Sequence, residues 1–255
     1  MILDSHCHLD HFPDPRAAAA DAARRGVFII AVTNLPSHFR AGLPHVRSLP
    51  QTRLALGYHP LAIHNSEERK LFRDLFHLTS FIGEVGLDFS PEGKNTRETQ
   101  LADFRFIAEA VAQTPKVVSL HSRRAETAAL DILSGTGVLS AIFHWYSGPL
   151  GVLDEALTKG HYFSVNPSMV RSEKGKRVIA RIPPDRFLTE TDGPYVRIGR
   201  VPATPGDVIL VENYMASLWA IRPDEVRDRI WSNFGQLLVR LGLGSVRENR
   251  TVDSN

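Results

Sequence analysis

The sequence predicts an α/β chain folded as a closed (β/α)8 TIM barrel, and three observations predict it. The length, 255 residues, suits one such barrel. Short apolar runs alternate with helical segments from one end to the other. Histidines and carboxylates recur at the carboxyl ends of those runs, the face on which barrels of this kind build their sites.

The apolar runs, in order, are Met1–Leu3, Val27–Val32, Arg53–Leu56, Phe81–Ile82, Lys116–Leu120, Leu139–Phe143, Tyr162–Val165 and Phe187–Leu188. Their β-branched and aromatic content suits strands buried on both faces. Between them the pattern predicts helices over Asp14–Arg25, Ser37–Leu49, Ser66–Leu78, Asn95–Gln113, Ala125–Leu133, Leu150–Lys159 and Ser172–Ile182. The alanines Ala17–Ala20, Ala22 and Ala23 favour the first of these. Two more helices are expected after the last strand, Pro205–Ala220 and Pro223–Leu241, with Pro223 suited to a first helical turn. A doubly wound open sheet is the competing architecture, but no G-x-G-x-x-G follows the first strand. There is no fixed-period repeat and no linker. Residues 1–243 are expected to form one domain and Gly244–Asn255 a polar tail.

Composition narrows the function. Thirty Lys and Arg against 28 Asp and Glu give a formal charge of +2, so nucleic acid would have to be held by a local patch rather than a basic coat. Cys7 is the single cysteine, which excludes an internal disulfide and fits a reducing, cytoplasmic setting. The opening Met1–Asp10 lacks the basic and apolar regions of a secretory signal, and no apolar stretch is long enough to span a membrane.

The chemistry lies at the strand ends. His6 and His8 close the first run, Glu84 follows the fourth, His121 the fifth and His144 the sixth, and Asp192 follows the eighth by a few residues. In an extended strand i and i+2 share a face, so both imidazoles of His6-Cys7-His8 can face the barrel axis while Cys7 turns away. Taken singly, an H-x-H is more often structural, and an Asp in T-D-G-P is a turn residue. Taken together, six ligand-type residues at one end of a parallel barrel point to a metal centre. Imidazoles with carboxylates suit zinc, manganese or magnesium. Four histidines and two carboxylates exceed one tetrahedral site, and two divalent ions bridged by Glu84 is the economical arrangement. His11, His38, His45, His64, His77 and His161 are assigned no role, whereas His59 in G-Y-H-P ends the third strand and faces the same mouth.

These residues fall in motifs: D-S-H-C-H-L-D (Asp4–Asp10), G-Y-H-P (Gly57–Pro60), I-G-E-V-G-L-D (Ile82–Asp88), R-E-T-Q (Arg97–Gln100), H-S-R-R-A (His121–Ala125), H-W-Y-S-G (His144–Gly148) and E-T-D-G-P-Y (Glu190–Tyr195). In kind and order they resemble the TatD family of metal-dependent deoxyribonucleases, which are amidohydrolase-like barrels of the metal-dependent hydrolase type. The resemblance implies that His6 and His8 hold one ion, His121 and His144 the second, and Glu84 both. It implies that Asp192 joins the first ion and handles the attacking water, so that Asp192 and Glu84 are the catalytic carboxylates. It further implies a cytosolic exonuclease working from the 3′ end of single-stranded DNA. The chain departs from the family pattern where Trp145 and Tyr146 replace the usual Cys-Phe pair, and where Val201–Pro205 replaces an Arg-Asn-x-Pro element. The combination of H-S-R-R-A, H-W-Y-S-G, F-S-V-N-P-S-M (Phe163–Met169) and E-T-D-G-P also resembles a sub-branch, the TatD-like component of the bacterial Qat anti-phage system, which implies partner proteins in defence.

His59, Arg123, Trp145, Tyr146 and Tyr195 are the expected substrate contacts, with Arg124, Arg171 and Arg197 further out. Arginine pairs with phosphate and aromatic rings stack on single-stranded bases. Two other functions compete. A small-molecule amidohydrolase would keep the metals, but such relatives often bridge them with a carboxylated lysine, and no lysine flanks Glu84. A metal-stabilised, non-catalytic subunit of a defence complex would have little reason to keep six ligands.

Overall fold

The computed structural model describes residues 1–62 and 65–244. His64 and the tail beyond Gly244 lie outside the described residues. Strands β1 (Ile2–Cys7), β2 (Val27–Ala31), β3 (Thr52–Leu54), β4 (Leu56–Tyr58), β5 (Phe81–Gly86), β6 (Val117–His121), β7 (Ile142–His144), β8 (Tyr162–Val165) and β9 (Phe187–Thr189) pair in parallel throughout. They form two ladders, β1-β2-β3 and β4-β5-β6-β7-β8-β9. Around them lie α1 (Pro15–Arg24), α2 (Pro36–Val46), α3 (Ser66–Leu75), α4 (Arg97–Gln113), α5 (Glu126–Thr136), α6 (Leu150–Thr158), α7 (Glu173–Ile179), α8 (Ile209–Trp219) and α9 (Pro223–Arg240).

The helices end where capping chemistry ends them. Asp14 accepts from Ala17 N at 2.9 Å with Pro15 in the first turn of α1. Gly137, at φ 82°, closes α5 in the left-handed conformation that costs glycine nothing. In α4 the buried Gln100, Phe104, Ile107, Ala108 and Val111 recur at three- and four-residue intervals, the stripe that packs on the strands. α9 buries Val226, Ile230, Phe234 and Leu237, and its Asn233 donates to Pro184 O at 2.7 Å and Phe187 O at 2.9 Å, fixing the helix against the foot of β9.

Two joints close the ring, and both position the site. At the β9–β1 seam, Ser5 Oγ donates to Thr189 O at 2.9 Å and Thr189 Oγ1 to Leu3 O at 2.6 Å. Backbone bonds continue the seam upward: Asp192 N to His6 O at 2.9 Å, and His8 N to Gly193 O at 2.8 Å. The second joint lies in the third barrel strand, which sequence predicts as one run and the structure divides at Ala55 into β3 and β4. Thr33 spans the gap: its Oγ1 donates to Ala55 O and accepts from Gly57 N, and its backbone pairs with Gly83 and Glu84. Position 57 must be glycine, because a Cβ there would sit 1.5 Å from Thr33 O.

Other boundaries shift. β1 reaches Cys7 and β5 reaches Gly86, so His6 and Glu84 lie within their strands rather than past the ends. The predicted Leu139–Phe143 strand is Ile142–His144, and Pro205–Val208 is a 3-10 turn ahead of α8. An antiparallel hairpin that the sequence does not announce, β10 (Arg197–Ile198) with β11 (Val201–Pro202), occupies the segment after Tyr195.

Candidate metal centre

All six predicted ligands converge at the carboxyl end of the barrel. His6, His8, Glu84, His144 and Asp192 are buried, and His121 is slightly exposed. Glu84 stands at a register shift that interrupts the pairing of β5 with both neighbours, a bulge that turns its side chain to the axis. Asp192 adopts φ 52°, a left-handed conformation that aspartate tolerates, with its amide tied to His6 O.

The glutamate divides its oxygens. Oε2 lies 3.2 Å from His8 Nε2 and 3.7 Å from His6 Nε2. Oε1 lies 2.5 Å from His121 Nδ1 and 2.9 Å from His144 Nε2. Asp192 Oδ1 completes the first set, 3.5 Å from His6 Nε2 and 3.6 Å from His8 Nε2, and the two histidine nitrogens are 3.2 Å apart. An ion with bonds of 2.0–2.1 Å to four tetrahedral donors would space them about 3.3 Å apart. The five separations within the His6, His8, Glu84 and Asp192 set bracket that edge, so these residues fit a divalent ion. His59 is the addition to the predicted ligand-type set: its Nε2 is 3.6 Å from Glu84 Oε2, and with Glu84 and His121 it forms another compact donor group.

Carboxylates behind the ligands set their protons and orientation. Asp88 Oδ2 meets His121 Nε2 at 2.8 Å, while Asp88 accepts from Ser90 N and its amide donates to Gln100 Oε1. Glu190 Oε1 accepts from Trp145 N and Asn166 Nδ2, both at 3.0 Å, and stands 3.6 Å from His144 Nδ1, an ion-pair rather than a hydrogen-bond distance. Ser119 Oγ meets His6 Nδ1 at 2.7 Å. Asp4 accepts from Thr191 N and Oγ1, which locks β1 to the loop carrying Asp192. Sequence reasoning assigned none of these four, yet a signal was present. Asp4, Ser119 and Glu190 each stand two residues before a ligand, on the same face of an extended chain. Ligating histidines commonly present the other nitrogen to such partners.

Electrostatically the cluster is strongly coupled. Burial is the largest influence on His6 and holds its pKa well below the ordinary value. For His121 and His144 burial works the same way but is outweighed, chiefly by Glu84, so both are raised. Burial pushes the Asp192 carboxyl up to about 7, against the pull of His144 and His8. His59 is lowered to about 4, again mainly by burial.

Of the expected substrate contacts, His59, Arg123, Trp145 and Tyr195 line the cavity of about 630 Å³ above the ligands. Tyr146 does not. It is 2% exposed, its ring packs on Phe143 and Phe163, and its hydroxyl donates to Pro149 O at 2.6 Å, so it is a core residue instead of a substrate contact. The chain leaves β7 with Trp145 at φ 38°, which turns Trp145 outward and Tyr146 inward. Arg123 sits over the mouth, 4.0 Å from Asp88 and 3.9 Å from Glu92. Arg171 donates to Arg197 O, tying the loop after β8 to the hairpin.

A parallel barrel with a histidine–carboxylate cage at its carboxyl mouth defines a metal-dependent hydrolase. The TatD related DNase family matches residues 3–239, and the chain belongs to that family. Its relatives include an uncharacterized metal-dependent hydrolase of Methanocaldococcus jannaschii, 26% identical over 241 residues and covering 91% of this chain and 94% of the relative. Human deoxyribonuclease TATDN3 is 27% identical over 164 residues, 63% of this chain and 60% of that protein. Among solved structures, the TatD homolog YjjV of Escherichia coli superposes with a TM-score of 0.83 at 25% identity, covering 92% of this chain and 97% of YjjV.

Proposed function

We propose that the chain is a two-metal phosphodiesterase that degrades single-stranded DNA from its 3′ end. The observation that carries this reading is the division of Glu84 between two histidine sets, Oε2 toward His6 and His8 and Oε1 toward His121 and His144. In this reading His6, His8 and Asp192 hold one divalent ion, zinc, manganese or magnesium, His121 and His144 hold a second, and Glu84 bridges them. Such ions would polarise the phosphoryl oxygens and make water acidic enough to attack at neutral pH. The chain's residues do the rest. Asp192, whose carboxylate lines the cavity, takes the proton of the attacking water as the new P–O bond forms. The old P–O bond breaks as the proton held by Asp192 passes to the leaving oxygen. Arg123 and His59 lie where they can pair with the phosphate, and the exposed faces of Trp145 and Tyr195 can stack on bases.

DNA as the substrate is supported by the family's description and by the naming of human TATDN3 as a deoxyribonuclease. Cytoplasmic residence accords with the lone, buried Cys7, and no helix among the described residues is long and apolar enough to cross a membrane. The combined motifs around His121, His144, Phe163 and Asp192 support a role in anti-phage defence, with Qat-type partner proteins. Glu84 stands where amide-hydrolysing relatives often place a carboxylated lysine, which favours the phosphodiester reading over amide hydrolysis.

Purified protein supplied with manganese, magnesium or zinc and internally labelled single-stranded DNA is expected to shorten the strand. Asp192→Asn is expected to reduce that rate by at least about 100-fold, in the range general bases contribute. Equal cleavage by Asp192→Asn, or turnover of an amide panel with no DNA cleavage, would overturn the reading.

A further inference from the structure

The cavity above the metal centre has one wall that hydrolysis leaves unused. Ser122 and Glu126 follow β6 and Ser147 follows β7, and all three line the same cavity as Glu84 and Asp192. Glu126 opens α5 and is only 8% exposed. No hydrogen bond or ion pair engages its carboxylate among the described residues, and the hydroxyls of Ser122 and Ser147 are likewise unengaged.

That arrangement needs a reason. An acidic residue in a first helical turn complements the helix dipole, but it does so equally well from the surface. The residue is mostly covered, but its carboxylate oxygens face the cavity's solvent, so a ligand that displaces that water must supply donors in its place. In a cavity that receives a polyanion the carboxylate also repels every phosphate brought near it. The backbone nevertheless makes room for it. Gly148, in the H-W-Y-S-G segment, lies so close that a Cβ there would meet Glu126 Cγ at 2.5 Å and Oε1 at 2.8 Å. Glycine at 148 therefore allows the carboxylate to occupy its place against the cavity.

A carboxylate accepts hydrogen bonds and donates none, so its partner must be a donor. A phosphate offers none, whereas the edge of a nucleobase does. Cytosine presents N4–H, adenine N6–H, and guanine the adjacent N1–H and N2–H, which match both oxygens of a carboxylate. Thymine presents one N–H between two carbonyl oxygens that a carboxylate repels. Serine hydroxyls on either side can donate to the ring nitrogens and carbonyls these bases carry. Trp145, at the same mouth, supplies a ring on which such a base can lie.

We propose that Glu126, flanked by Ser122 and Ser147, reads the edge of the nucleobase beside the reacting phosphate, favouring guanine, then cytosine and adenine, over thymine. This specificity rests on the phosphodiesterase reading above, and the test separates the two.

The test uses full-length protein and single-stranded oligonucleotides that differ only in the terminal nucleotide, varied at either end. The wild type is expected to remove terminal guanine about tenfold faster than terminal thymine, the discrimination one good base-edge pair supplies. Glu126→Ala levels the four rates. Glu126→Gln, whose amide can also donate, moves the preference toward thymine. Gly148→Ala keeps the carboxylate but displaces it, and is expected to level the rates as well. A second arm titrates the four deoxynucleoside monophosphates into the same proteins by calorimetry, with circular dichroism confirming that each variant is folded. DNA cleavage with equal rates for the four ends, or a preference that survives Glu126→Ala, overturns the base-reading role and leaves the phosphodiesterase standing. No cleavage under any metal, with a monophosphate preference that depends on Glu126, overturns the phosphodiesterase and supports the base-reading wall. Neither cleavage nor a preference overturns both.

Discussion

The two halves of the metal centre share Glu84 but are built differently. Around Oε2, the nitrogens of His6 and His8 and the oxygen of Asp192 stand 3.2 to 3.7 Å apart, the spacing of donors around a common ion. His6 is buried, kept neutral, and steadied by Ser119. Around Oε1, His121 and His144 instead touch the carboxylate directly, at 2.5 and 2.9 Å, and both rings favour the protonated form because Glu84 outweighs their burial. The first half is set on the β9–β1 seam, where backbone bonds hold His6 and His8 against the Asp192 loop. The second rests on side chains of β6 and β7 with Asp88 and Glu190 behind them. A divalent ion entering the first half meets donors already at ligand spacing. One entering the second must break both hydrogen bonds to Oε1 and displace protons. On the two-ion reading proposed above, Glu84 would serve one tightly held ion and one that exchanges.

The largest expected effect separates the halves directly. His6→Asn should weaken the tight ion by more than about 100-fold, since losing even an outer partner of a ligand costs 10–100-fold. His121→Asn should leave one ion bound with near wild-type affinity and remove the other. Both should abolish DNA cleavage. Metal titration by calorimetry in buffers of different ionisation heat gives the protons as well. At pH 8, above the Asp192 value of about 7, uptake in the first half releases almost none. Uptake in the second half displaces more, because Glu84 outweighs burial and raises His121 and His144 in the metal-free chain, so its affinity climbs more steeply with pH. Equal affinities and equal proton release would break the comparison.

A smaller effect sharpens it. Asp88 touches only the second half, through His121 Nε2 at 2.8 Å. Asp88→Asn keeps the size of the side chain and removes its charge. It should weaken the exchangeable ion by about tenfold, at the lower end of what such outer partners contribute, and leave the tight ion unmoved. Loss of affinity in both halves would mean that Asp88 supports the mouth as a whole.

How much of this was legible in the sequence follows the same division. The convergence of the six candidate ligands could be read, because strand periodicity and the parallel arrangement place strand-end residues on one face whatever the detailed packing. The supporting residues were harder to read, because Asp88 and Glu190 act through partners 33 and 46 positions away in sequence, and only the folded register brings them together. The division of the third strand was illegible for a related reason: Thr33 inserts from beyond the end of β2, and nothing local to Ala55 announces it. Trp145 and Tyr146 show the limit at single-residue scale. Beyond the end of β7 the alternation rule lapses, and the left-handed turn at Trp145 decides which ring meets solvent and which enters the core.

The smallest effect isolates the protons of the centre from those of the barrel body. His161 is 1% exposed beside β7, where its Nδ1 accepts from Ala141 N at 3.0 Å. Burial, followed by the nearby Arg240 and Lys159, lowers its pKa from 6.5 to about 4. The folded chain therefore keeps this ring neutral where the unfolded chain would protonate it. The sign follows: the stability due to neutral His161 is fully present above pH 6.5 and is lost as the pH falls toward 4. At pH 6 the loss is about 1 kcal/mol, from the difference between the two proton-binding curves. His161→Asn, whose amide oxygen can take the place of Nδ1 as acceptor, should flatten denaturant-measured stability between pH 7 and 5 by about 2 kcal/mol. Metal uptake at the mouth should be unaltered, because His161 touches none of the six ligands. If the pH dependence persists in His161→Asn, the protons responsible belong to other buried groups, the ligands and Asp4 among them. In metal-free protein the halves then predict opposite slopes: depressed His6 loses stability toward acid, and raised His121 and His144 lose it toward alkali.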